Sequence, residues 1–170
     1  MNYTFTEHLH NFAVWTAARA SQRNFTSTKN IKEAIEQTQL KKLIPRNSLR
    51  NTHSFDEFHR HCCRSIIKYL KSKKIKTTYG RASKIVAIYI KTTIVIPTLG
   101  KGLLSKIAHP PIDNILLTNL NKKHPNLKIG NEKWTQWTED EYFAIIKKLR
   151  TMKLDKFWEI ENFWSPIQKK

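Results

Sequence analysis

A chain of 170 residues with 39% hydrophobic and 11% aromatic residues is long enough for one domain with a real core, and too apolar to be disordered throughout. Its 31 basic and 13 acidic residues leave a net charge of +18, an excess that repels itself in a compact state and that a polyanion such as nucleic acid would relieve. Membrane spans are excluded, because the longest apolar-looking run, 85–96, contains Lys91 and is too short to cross a bilayer.

Helix signals then follow in chain order. TFTEHLHNFAVWTAARASQR opens with Thr4 and Glu7 at capping-box spacing, and Leu9, Phe12, Ala13, Ala17 and Ala20 recur at helical intervals as its expected inner face. TKNIKEAIEQTQL predicts a second helix with Ile31, Ala34, Ile35 and Leu40 inward, and 41–53 reads as a loop around Pro45. Ser54 and Glu57 form a second capping box before a stripe of Phe55, Phe58, Cys62, Ile66, Ile67 and Leu70. The stretch 79–95 is apolar on nearly every side, as a buried central helix would be, although the β-branched residues at 92–96 also allow a strand. Pro97, Gly100 and Gly102 break the chain, and a short helix is expected at 101–107. Pro110, Pro111 and Asp113 suit the first turn of the next helix. After a loop at 121–137, Thr138 and Glu141 cap another helix, and 157–164 carries four aromatics that suit a core or a subunit contact. The expected fold is all-α, a compact bundle of about seven or eight helices in a single domain over 1–170, packed around the helix at 79–95.

The charge is regional. Residues 58–131 hold 15 cations against Asp113 alone, a net of +14. Such a region is the electrostatic footprint of a polyphosphate ligand, the alternative being a merely solvated basic surface. The candidate nucleic-acid contacts are Arg60, Arg64, Lys71, Lys73, Lys74, Lys76, Arg81, Lys101, Lys106 and His109. Trp134 and Trp137 are added as aromatic platforms for exposed bases, unless they anchor the loop beneath them. No apolar face wide enough for a membrane surface accompanies the lysines.

Asp113 is a firm anion among cations. It either caps its helix and pairs with one lysine, or stabilises a cationic centre or orients a water beside a phosphate backbone. Lys84 and Lys91 stand two turns apart on one face of the central helix. They either snorkel to solvent or place a partly desolvated Lys84 as an amine nucleophile.

Gly80 with Lys84, followed by Pro111, Ile112 and Asp113, resembles the helix-hairpin-helix DNA glycosylases. In that family a glycine-containing turn precedes a lysine at the start of a buried helix, and an aspartate opens a later one. The resemblance implies a base-excising enzyme that acts on DNA without a cofactor. Asp113 would be the charge stabiliser at the sugar C1′, and Lys84 the Schiff-base nucleophile of a lyase step. The match covers about 40 residues. Gly80 stands four residues before Lys84 rather than two, KTTYG replaces the hairpin's Pro-Gly pair, and Ile115 replaces the histidine that follows the aspartate.

Other patterns carry less. His53, His59, His61, Cys62 and Cys63 offer two or three metal ligands on one helix with no second pair to complete a zinc site, so no metal is expected. Arg46, Asn47 and His53 are similar to the Arg-polar-x-His motif of the HEPN ribonucleases. The stretch NFAVWTAARASQRNFTS looks similar to bacterial proteins of undefined role. No P-loop, GxGxxG or GxSxG stands in the chain. With neither a basic n-region nor an apolar h-region at MNYTFTEHLHNF, and with adjacent cysteines that cannot bridge each other or supply an iron–sulfur cluster, the expectation is a reduced, cytoplasmic DNA-binding protein. A glycosylase-like activity is the first reading, and a basic regulatory factor without chemistry is the alternative.

Overall fold

The computed structural model describes residues 4–21, 24–43, 51–129 and 133–165. Among them it has eight α-helices and no strand: α1 (Phe5–Ser21), α2 (Thr28–Glu36), α3 (Leu40–Leu43), α4 (Thr52–Ser72), α5 (Tyr79–Ile90), α6 (Leu103–Ile107), α7 (Asn114–Lys123) and α8 (Glu139–Arg150). The all-α bundle read from the sequence is the observed architecture. α5 is its axis, packed against α1, α3, α4 and α8, and ten of its twelve residues are buried. One hydrophobic cluster joins α1, α2, α4, α5, α7 and α8. None of the described helices is long and apolar enough to cross a membrane.

Four local expectations are corrected. α1 starts with Thr4 Oγ1 accepting the Glu7 N–H at 3.2 Å, but its buried face is His10, Ala13, Val14, Ala17, Ala18 and Ser21, while Phe12 is half exposed. The predicted stripe is one residue out of phase. Small side chains, rather than the aromatic, face α5, and His10 Nδ1 meets the Tyr89 hydroxyl at 2.8 Å in the core. α4 begins at Thr52, capped by Asn51, whose Oδ1 accepts the Ser54 N–H at 2.8 Å; Ser54 is therefore the third residue of the helix and not its cap.

The alternative strand at 92–96 is a widened π turn, Lys91–Val95, that prolongs α5. Thr92 and Thr93 donate their hydroxyls to the Ile88 and Tyr89 carbonyls at 2.9 and 2.8 Å, so both buried hydroxyls are satisfied within the helix, a pattern that commonly accompanies local distortion. Asp113 is the N-cap of α7, its Oδ1 accepting the Leu116 N–H at 3.0 Å, so Pro110 and Pro111 precede the helix in a buried connection.

The region 121–137 contains the end of α7 and two 3-10 turns, Pro125–Leu127 and Trp134–Gln136. The Thr138–Glu141 capping box of α8 is present as expected. Phe157–Phe163 is a 3-10 segment that buries Phe157 and Ile160 against α6 and α7.

Candidate functional site

α4 and α5 are joined by the short connection 73–78, and α5 is capped by Thr78. The Thr78 hydroxyl donates to the Thr135 carbonyl at 2.7 Å, and the Gly80 N–H donates to the Trp137 carbonyl at 3.1 Å. The Trp134–Gln136 turn therefore lies directly on the first turn of α5. Only glycine permits this at position 80, because an added Cβ would overlap the Trp134 carbonyl oxygen. The consequence is the placement of Trp134, whose ring lies 4.6 Å from Lys84 Nζ.

One turn deeper, Lys84 Nζ donates to Asp113 Oδ2 at 3.0 Å. The lysine is 8% exposed and the carboxylate side chain 17%. The Trp164 indole N–H donates to the same Oδ2 at 3.0 Å. Burial pushes the Asp113 carboxyl upward, but the Lys84 charge, the Leu116 N–H and the Trp164 N–H outweigh it and hold the group below the ordinary aspartate range. Lys84 and Asp113 form the floor of a cleft of about 200 Å³ whose walls include Ser21, Arg81, Asn114 and Trp134. Arg81 is steadied over the Phe25 ring at 4.6 Å.

Lys91 repeats the arrangement two turns along α5. It is paired with Glu161 and lies 5.3 Å from the Trp164 ring. Neither lysine snorkels outward; each meets a carboxylate from the C-terminal half of the chain. Burial pushes Glu161 above the usual carboxylate range in spite of Lys91.

The other predicted contacts divide into three groups. Lys71, Lys73, Lys74 and Lys76 are exposed around the α4–α5 connection, where Lys71, Lys74 and Lys76 edge a shallow groove over Ile67 and Ile75. Lys101 and Lys106 are exposed elsewhere, Lys106 beside Arg150 and Lys153. Arg60 and Arg64 are both taken up by Glu139, with Arg64 Nη2 at 2.7 Å and the Arg60 guanidinium also stacked 3.6 Å from the Phe143 ring centre.

Two expectations of surface contact are corrected. Trp137 is 2% exposed and His109 1%, so both are core residues and not platforms for a ligand. His109 belongs to a buried polar chain. Its Nε2 meets Asp56 Oδ1 at 3.0 Å, its Nδ1 meets the Tyr142 hydroxyl at 3.0 Å, that hydroxyl meets His59 Nε2 at 3.4 Å, and His59 Nδ1 meets the Tyr79 hydroxyl at 3.1 Å. His109 Nε2 also lies 3.1 Å from Arg150 Nη2, so the same ring nitrogen faces a carboxylate that can only accept and a guanidinium that can only donate. Arg150 grips Asp56 through two bonds of 2.8 and 2.6 Å. Burial pushes His109 down to about 4 and His59 well below the usual histidine value.

His59, Cys62 and Cys63 are buried in the same core, both thiols are free, and burial raises Cys62 to about 12. Among the described residues no cluster of three or more His, Cys, Asp or Glu is arranged to hold a metal. Of the ribonuclease-like set, His53 is exposed in the first turn of α4, while Arg46 and Asn47 lie outside the described residues.

Sequence reasoning thus paired Lys84 with Asp113 but missed Trp164 and Ser21. Trp164 reads as one more core aromatic, and its reach to Asp113 spans 51 residues with no local signal. Ser21 was hidden by the phase error in α1. Comparisons of the chain with family models, with curated proteins and with solved structures each give no match.

Proposed function

We propose that this chain binds DNA and excises a base from it, with Asp113 acting at the sugar C1′. The observation that carries this reading is the meeting of Lys84 and Asp113, 29 residues apart, at the floor of a cleft that also holds Arg81 and Trp134. A cleft of about 200 Å³ suits one extruded base better than a cofactor, whose sites run to roughly 300–1,000 Å³. The exposed lysines of the α4–α5 connection supply phosphate contacts close to the N-terminus of the helix that carries Lys84.

In the proposed step the bond from C1′ to the base nitrogen breaks, and its electron pair leaves with the base. The sugar acquires oxocarbenium character, which the Asp113 carboxylate stabilises. Water adds to C1′ and its proton goes to the departing base, so the products are a free base and an abasic sugar. Lys84, held as the ion-pair partner of Asp113, has no lone pair to give until it loses a proton, so hydrolysis is the primary route and amine attack the secondary one.

The test is release of base from damaged or mispaired DNA, together with borohydride trapping. Release that vanishes in Asp113→Asn supports the reading, and a trapped adduct lost in Lys84→Met assigns the lyase route. Release that survives Asp113→Asn, or no release from a broad set of lesions, removes it.

One observation favours a second reading, a DNA-binding protein without chemistry. Lys91, in the π turn that prolongs α5, makes a similar pair with Glu161 outside the cleft lining, so Lys84–Asp113 would be the first of two pins holding α5 to the C-terminal half. Salt-dependent DNA binding that persists in Asp113→Asn, with no base release by the parent chain, would select it.

A further inference from the structure

The cleft has a wall that the excision chemistry does not use. α1 ends there at Ser21, which is 2% exposed. The Ser21 carbonyl accepts from Arg81 Nη1 at 3.4 Å, whereas the Ser21 hydroxyl has no hydrogen-bond partner among the described residues. Buried hydroxyls are nearly always satisfied in folded proteins, and this unsatisfied one belongs to a residue that lines the cleft.

Cationic donors dominate the charged groups around it. Arg81 can only donate. Asn114 and Ile115 bring the first turn of α7 to the cleft, where main-chain N–H groups have no acceptor within the helix. Asp113, the sole carboxylate of the lining, already accepts from Lys84, Trp164 and Leu116 and has little left to offer. The lining is therefore rich in donors and positive in charge.

Resting on the reading of this cleft as a base-excision site, we infer that it selects a neutral base presenting hydrogen-bond acceptors, such as the ring carbonyls of a pyrimidinedione or an oxopurine, and that Ser21 and Arg81 determine this specificity. An exocyclic amino group in the same place would set donor against donor at Arg81. A base made cationic by alkylation would meet both the Arg81 guanidinium and the Lys84 ammonium. Hydrogen bonds to a charged donor discriminate by roughly ten- to a hundredfold.

The experiment measures single-turnover release of uracil, hypoxanthine, cytosine, adenine and 3-methyladenine from single-stranded oligonucleotides, in which extrusion costs are small and similar. The parent chain is expected to favour uracil and hypoxanthine over the amino-bearing and cationic bases by roughly ten- to a hundredfold. Ser21→Ala and Arg81→Gln, each checked for unchanged helical circular dichroism, should bring that ratio to within about threefold of unity. Release that depends on Asp113 but shows no such preference, or a preference intact in both variants, overturns this inference and leaves the excision reading standing. No release of any of the five bases overturns the excision reading and this inference with it.

Discussion

Gly80 shows how one missing side chain sets the cleft. Gly80→Ala would drive a methyl group into the Trp134 carbonyl, and overpacking of this kind costs about 1–3 kcal/mol. We expect a lower urea midpoint together with a change in tryptophan emission as the Trp134 turn lifts from Lys84; an unchanged spectrum would mean the turn is not held by this contact. Lys84 and Asp113 make the second prediction at this scale. Removing one partner of a buried pair costs about 3–5 kcal/mol, whereas replacing both is far cheaper. Partial exposure of Asp113 places Asp113→Asn at the low end of that range, and Lys84→Met with Asp113→Asn should lose clearly less than the two single changes added together. Strict additivity in a double-mutant cycle would show that the pair is not coupled. The lone acid in a basic region was legible as a residue that would find a lysine, because no other carboxylate lay nearby in sequence. Its third donor, the Trp164 N–H, was not, since nothing in an aromatic-rich stretch tells which ring turns its N–H toward a carboxylate.

At the scale of elements, α4, α5, α8 and the segment before α7 are tied together by the chain of hydrogen bonds from Tyr79 through His59, Tyr142 and His109 to Asp56. Both histidines are held neutral by burial, with Arg150 already satisfying the Asp56 charge. Their folded values lie below the unfolded value of about 6.5, so the unfolded chain takes up protons first as acid is added. The contribution of these groups to stability is complete above about pH 6.5 and falls as the pH drops toward 4, by on the order of 3 kcal/mol for His109 alone. Burial raises the Asp56 carboxyl, but its bonds to Arg150 and His109 outweigh this and lower it, so a further loss sets in as the pH falls through the ordinary aspartate range. Denaturant midpoints between pH 8 and 4 measure the first effect, and a flat profile would contradict it. The helices themselves were readable because their apolar periodicity and caps are local, as at Thr138–Glu141. The misread segments were those where tertiary packing decides: 92–95, packed against α1 and α6, and small residues rather than Phe12 chosen to face α5.

For the whole molecule, the +18 charge is less available than its count suggests. Arg60 and Arg64 spend their charge on Glu139, while Lys71, Lys74 and Lys76 stand in the open. If DNA lies across the α4–α5 connection, Lys74→Ala should weaken binding and reduce the slope of log K against log salt by about one, Arg64→Ala should change little, and Glu139→Gln, which releases both arginines, should strengthen binding. Titrations at several salt concentrations check all three; an Arg64 effect as large as that of Lys74 would refute the assignment. The two pairs on α5 also bear on how the chain folds as it is made. Lys84 meets a partner 29 residues later, but Lys91 waits 70 residues for Glu161. At synthesis rates of about 5–20 residues per second, several seconds pass in which the axis of the bundle carries an ammonium with no anion to receive it. Closure around α5 before residue 161 has been made would cover the Lys91 ammonium without its carboxylate, a cost that the arrival of Glu161 removes.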